Sequence, residues 1–187
     1  MKRWERCEVK KVLIVASSLR HSANSAILAD EFARGATEAG HSVAMISLAG
    51  KSINFCKGCL ACQQTQACVI QDSMAEILEQ LRTADVIVFA TPIYFYELSG
   101  QLKTLLDRTN PLFPAEYRFR DIYFLATSAD TDPASMDRAV EGLGGWIACF
   151  AKARLAGVVR GTGVTNAGEL RRVPAVLQEA YEMGKQI

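Results

Sequence analysis

Short apolar runs alternating with amphipathic stretches constrain this chain more than any other feature. Val12 to Ala16 (VLIVA), Val86 to Ala90 (VIVFA) and Ile122 to Ala126 (IYFLA) carry no charge, and Ser42 to Leu48 and Leu155 to Val159 are further β-rich runs. A strand with one wet face alternates apolar and polar residues. Strands apolar at every position are expected where both faces of a parallel sheet are covered.

The intervening segments have helical spacing. Leu28, Phe32, Ala36 and Ala39 recur at three- and four-residue steps between Ala23 and Ala39, and Gly40 suits the helix end. Ser73-Met74-Ala75-Glu76 reads as a capping box, followed by a stripe of Met74, Ile77, Leu78 and Leu81. Leu102, Leu105 and Leu106 follow a candidate N-cap at Ser99. Asp132-Pro133 opens a helix carrying Met136, Val140, Leu143 and Ile147, with Gly142, Gly144 and Gly145 marking an irregular stretch. A helix over Val173 to Met183 closes the chain.

Five strands joined by helical crossovers give an α/β fold. The expected arrangement is a doubly wound five-stranded parallel sheet, order 2-1-3-4-5, with helices on both faces. Ligands of such sheets bind beyond the carboxyl ends of the strands, at the switch between strands one and three. Three loops should converge there: 17–25, 91–99 and 127–131.

At 187 residues the chain suits a single domain over 1–187, with a Cys-rich loop at about 52–68. Twenty-one basic against 20 acidic residues leave a net charge of +1, which argues against nucleic acid as a partner. No apolar run approaches the ~20 residues of a membrane span. The start, MKRWERCEVKK, has no apolar stretch of a secretory signal, so a cytoplasmic location is expected. Six cysteines there point to metal or redox chemistry rather than a disulfide framework.

The loop Ser17-Ser18-Leu19-Arg20-His21-Ser22-Ala23-Asn24-Ser25 leads into a helix. Helix N-termini offer unpaired N–H groups and a positive dipole end. The hydroxyl and amide side chains of Ser18, Ser22, Asn24 and Ser25 and the Arg20 guanidinium add donors for a phosphate. The loop has no G-x-G-x-x-G and no Walker A sequence. Gly163 to Gly168 has the Walker glycine spacing, but Glu169 stands where Lys is required. A Ser/Asn-rich loop suits a terminal phosphate monoester, as in FMN; an ordinary polar turn would satisfy the same residues.

Cys56-x2-Cys59-x2-Cys62-x5-Cys68 is the sharpest local signal. Its compactness suits iron–sulfur ligation better than zinc, whose paired knuckles usually lie further apart. A redox disulfide, free thiols and zinc remain open. Cys7 and Cys149 read as ordinary thiols and His41 as a surface residue, while His21 lies in the phosphate loop. No nucleophile–base constellation is visible, so no catalytic side chain is assigned.

These motifs resemble those of the NADPH-dependent FMN reductases and iron–sulfur flavoproteins. Ser18, Arg20, Asn24 and Ser25 match the phosphate loop, with Ser17 where the family commonly has Gly. The stretch Ala90 to Arg108 (ATPIYFYELSGQLKTLLDR) matches the second signature, and the likeness covers roughly residues 10 to 170. The resemblance implies a flavodoxin-like fold with FMN at the switch point. Pro92, Ile93, Tyr94 and Phe95 would border the flavin ring, and Thr127, Ser128 and Asp130 a third wall. It also implies a [4Fe–4S] cluster on Cys56, Cys59, Cys62 and Cys68, and a homodimer or homotetramer. Lys103, Asp107 and Arg108 are expected in surface salt bridges or subunit contacts.

The leading expectation is thus an oxidoreductase passing electrons between a reduced donor and an acceptor through FMN and the cluster. The alternatives are a metal-free NAD(P)H-dependent FMN or quinone reductase, and a redox or metal sensor module.

Overall fold

The computed structural model describes residues 8–187. Cys7 and the amino-terminal signal reading lie outside or mostly outside the described residues.

Strands β1 (Lys11–Ala16), β2 (Ser42–Ser47), β3 (Val86–Tyr94), β5 (Asp121–Thr127) and β6 (Arg154–Gly161) form a sheet in the order β2-β1-β3-β5-β6. Every one of these pairings is parallel. The expected 2-1-3-4-5 order is therefore present, with one further short strand, β4 (Glu97–Leu98), antiparallel to the end of β3.

The uninterrupted apolar runs are explained by two cores. Leu13, Val15, Ile87, Phe89, Ile122 and Phe124 face one layer, under α3 (Met74–Thr83), α4 (Gly100–Asp107) and α5 (Asp137–Ala148). Their neighbours Val12, Ile14, Val86, Val88, Tyr123 and Leu125 face the other, under α1 (Asn24–Glu38) and α6 (Pro174–Lys185). Successive strand residues alternate between faces, so covering both faces demands an apolar residue at each position. Among the described residues no helix is long and apolar enough to cross a membrane.

Helices α1 and α6 touch backbone to backbone. A Cβ on Gly35 would strike the Tyr181 carbonyl oxygen, and one on Gly184 the Phe32 carbonyl oxygen. This close seam fixes α1, whose N-terminus opens toward the carboxyl end of the sheet.

Some local readings change. Ser73 has helical backbone angles and makes no cap; the Asp72 carboxylate accepts from the Met74 amide at 3.0 Å instead. The stretch after Ala90 is a hairpin rather than an open loop, because β3 runs on to Tyr94 and its Ile93 and Tyr94 pair with Leu98 and Glu97. Helix α5 runs unbroken through its three glycines, after a 3-10 turn over Pro133–Met136 capped by Asp132. His41 is buried: Nδ1 accepts from the Lys10 amide at 3.3 Å, and Nε2 lies 2.9 Å from the Ile187 carbonyl oxygen. The cysteine loop contains a four-residue helix, α2 (Cys62–Thr65), that periodicity does not reveal.

Candidate functional site

Two features stand out, with separate linings. The first is a pocket of about 200 Å³ between the β1–α1 loop, the end of β3, the end of β5 and the segment after β6. Ser18, Arg20, Asn24, Ser25, Pro92, Ile93, Tyr94 and Thr127 line it, drawn from all three of the loops expected to converge. Ala23, Ala129, Val164 and Thr165 complete the wall. Ser22, Phe95, Ser128 and Asp130 stand outside it. Ser128 is buried, its hydroxyl accepting from the Asp130 amide at 3.0 Å. Asp130 is exposed and accepts from the Asp132 amide.

The helix N-terminus in this pocket is open. No side chain caps α1, its first turn holds no acid, and its first internal bond runs from the Ile27 amide to Ala23. The turn therefore presents donors with no internal acceptor. The Ser25 hydroxyl is sealed from solvent yet has no hydrogen-bond partner. An orphaned hydroxyl beside uncapped amides is the local signature of an anion site. Asn24 is more committed: its Nδ2 donates to the Asn166 carbonyl at 2.9 Å and its Oδ1 accepts from the Leu170 amide at 3.2 Å. Arg20 donates to the Thr165 carbonyl at 2.9 Å. Both thus brace the loop after β6 against the β1–α1 loop. Glu169 stiffens that loop further, accepting from Thr165, Asn166 and the Asn166 amide side chain, which hold its carboxyl below the usual range.

The hairpin at the pocket's edge is strained. Phe95 and Tyr96 form its two-residue tip with φ of 51° and 67°, a region usually given to Asn and Gly in such turns. Phe95 is 99% exposed.

The second feature is the cysteine loop. Cys56, Cys59, Cys62 and Cys68 all line one small pocket of about 20 Å³, together with Arg108. All four thiols are unpaired; Cys56 and Cys59 are exposed and Cys62 is buried. Burial, then the neighbouring Cys68, Cys59 and Cys56 sulfurs, push the Cys62 thiol up. Among the described residues no three His, Cys, Asp or Glu side chains close on a point suited to a single metal ion. Gly58, at φ +64°, turns its amide toward the Cys56 sulfur at 3.5 Å.

The loop is tied at its neck. The Ser52 and Ser73 segments exchange hydrogen bonds, and the Asn54 amide donates to Asp72 at 2.8 Å. Arg108 corrects the expectation of a surface residue: its side chain is 1% exposed and pairs with Asp72, itself 3% exposed. Burial raises the Asp72 carboxyl's pKa, but the bonds from Arg108, Asn54 and Met74 outweigh it and hold the group well below the carboxylate range. Lys103 and Asp107 do form the expected exposed bridge, at 2.6 Å.

Residues 10–160 match the family profile of NADPH-dependent FMN reductase. The chain belongs to that family. An iron–sulfur flavoprotein of Methanocaldococcus jannaschii is 39% identical over 102 residues, covering 54% of this chain and 53% of that protein. One from Methanosarcina thermophila is 33% identical over 99 residues, 53% of this chain and 52% of the relative. The chain spans about half the length of the curated relatives it matches. A solved NAD(P)H:quinone oxidoreductase from Methanothermobacter marburgensis has a TM-score of 0.76 at 16% identity, over 96% of each chain, a likeness in fold.

In this FMN reductase family member, two wall residues escaped sequence reading. Val164 and Thr165 carry no distinctive side chain, yet the segment after β6 also ends at the carboxyl edge of the sheet, which was the available signal. Arg108 had no such signal, because its acceptors lie 36 and 54 residues away along the chain.

Proposed function

We propose that the protein is a flavin-dependent oxidoreductase that holds FMN at the switch point and a [4Fe–4S] cluster in the cysteine loop, passing electrons between a reduced donor and an acceptor. The observation that carries the flavin is the orphaned Ser25 hydroxyl at the uncapped head of α1. The first-turn amides, Ser18, Ser25 and Arg20 would bind the phosphate. Pro92, Ile93 and Tyr94 would border the ring, with Thr127 opposite. Bound FMN supplies an exchange between hydride and single-electron transfer. Hydride arrival at the flavin needs no side chain of the pocket as an acid or base.

The cluster would be held by Cys56, Cys59, Cys62 and Cys68. What fits such a centre is the chemistry of the donor set, four cysteines lining one small pocket, since each iron of the cluster takes one thiolate. Of these, Cys56 and Cys59 are exposed and Cys62 is buried. When bound, the cluster carries single electrons. The match to relatives named iron–sulfur flavoproteins supports this reading.

Anaerobic purification followed by an absorbance spectrum with iron, acid-labile sulfide and FMN analysis tests it. Four irons and four sulfides per flavin are expected, lost together in Cys59→Ser. Flavin without iron would leave a metal-free FMN or quinone reductase; neither cofactor would leave the sensor reading.

A further inference from the structure

A guanidinium has five N–H bonds. In Arg108 four are spent at the neck of the cysteine loop. Nη1 donates to the Asn54 carbonyl at 2.7 Å and to Asp72 Oδ2 at 2.8 Å. Nη2 donates to the Ile70 carbonyl at 3.3 Å and to Asp72 Oδ1 at 3.1 Å. The fifth, on Nε, is sealed from solvent and has no acceptor. Arg108 is also a wall of the pocket that the four cysteines line.

These facts belong together. The Asn54 and Ile70 carbonyls lie just outside Cys56 and Cys68, so the guanidinium grips both ends of the loop and cannot rotate to satisfy Nε elsewhere. Both Asp72 oxygens are occupied by the terminal nitrogens. A sealed donor without an acceptor is costly, and the cost vanishes if an anion arrives to accept from it. A ring of thiolates about a sulfide-containing cluster supplies such an acceptor.

We infer that Arg108 is a positioning residue for the cluster, its Nε–H donating to a sulfur seated in the cysteine pocket, either the Cys68 thiolate or a cluster sulfide. The inference rests on the cluster reading above. Hydrogen bonds to cluster sulfurs stabilise the more negative, reduced state and raise the potential. Asp72 then serves to aim the guanidinium, and the same residue that closes the loop sets the ease of its reduction.

The test uses anaerobically purified holoprotein. Iron and sulfide are assayed first; a wild-type protein without them overturns the cluster reading and this inference with it. Given a cluster, wild-type protein labelled with [15N]arginine is reduced with dithionite and examined by pulsed EPR. A 15N coupling absent from unlabelled protein is expected; a fully loaded cluster with no such coupling overturns the inference. Arg108→Lys keeps the charge and removes the Nε–H. It should retain iron, lose the 15N coupling, and move the cluster midpoint to more negative potential while the FMN midpoint stays. An unchanged cluster midpoint at full iron content would reduce Arg108 to a structural clasp. Should Arg108→Lys fail to assemble the cluster, the labelled wild type alone decides.

Discussion

The hydroxyls of Ser17 and Ser99 meet at 2.9 Å, buried, although 82 residues separate them along the chain. Thr91 Oγ1 lies 3.2 Å from Ser99 Oγ and accepts from the Ser99 amide, while Ser99 Oγ also caps α4 through the Leu102 amide. One hydroxyl thus links the start of the β1–α1 loop, the base of the aromatic hairpin and a helix end. Ser99→Ala should cost about 1–2 kcal/mol, read as a lower urea midpoint, and should weaken FMN binding. Ser17→Gly, the residue common in the family, should cost less, because Ser99 retains Thr91.

Ser25 separates binding from stability. Its hydroxyl satisfies nothing within the chain. Ser25→Ala should therefore leave apoprotein stability unchanged or slightly higher, while FMN affinity falls about 10- to 100-fold, the span of a hydrogen bond to a charged group. Riboflavin, which has no phosphate, should bind both proteins alike. Equal loss for riboflavin and FMN in a titration would place Ser25 away from the phosphate.

The strained tip makes a prediction of opposite signs. Replacing Phe95 and Tyr96 by Asn and Gly supplies residues suited to positive φ. The double variant should gain about 1–2 kcal/mol, or several degrees in melting temperature. Its rate of flavin reduction by an added nicotinamide should fall, since the exposed aromatic edge is lost. A stabilised variant with an undiminished rate would show the aromatics to be idle.

Two glycine substitutions should diverge as well. Gly184→Ala drives a methyl into the Phe32 carbonyl and is expected to lower stability by about 2–3 kcal/mol, in the range of forced overpacking. Gly144→Ala meets nothing within 4 Å and lies inside α5. It should add about 0.5–1 kcal/mol through helix propensity. Thermal unfolding of the two variants against wild type reads both.

Asp72 predicts a pH dependence. Its carboxyl titrates lower in the folded protein than the unfolded value of about 3.9. The unfolded chain therefore binds the proton first, and the stabilisation is complete above about pH 5 and is lost as pH falls below about 4 toward the folded pKa. Asp72→Asn should cost about 3–5 kcal/mol at pH 7, since it strands a buried guanidinium. The gap between wild type and variant, followed by denaturant unfolding, should narrow on acidification from pH 5 to pH 3.

The sheet and its order were readable because burial on both faces leaves an unmistakable mark: no residue of VLIVA or VIVFA can be spared for water. The pocket was readable for a related reason, since the topology sends the ends of β1, β3 and β5 to one edge. What stayed hidden depends on partners distant in sequence. Arg108 at a helix end looks like any solvated cation until Asp72 and Asn54 are brought beneath it. Ser73 looks like a cap until Asp72, fixed by that same arginine, takes the Met74 amide. The β3–β4 hairpin was masked because its tip carries two aromatics where turn residues are usual.

The ties at Ser52–Ser73 and Asn54–Asp72 make the cysteine segment a ring closed at its base. The ring is also anchored away from its neck, where the Gln63 side-chain amide donates to Asn110 Oδ1 at 2.6 Å. Any exchange of the ring must therefore keep Asn54, Ile70 and Asp72, because a turn joining the two serines directly would remove every partner of the buried Arg108 guanidinium. Only the stretch from Cys56 to Cys68, inside those partners, is left to vary in length without touching the clasp.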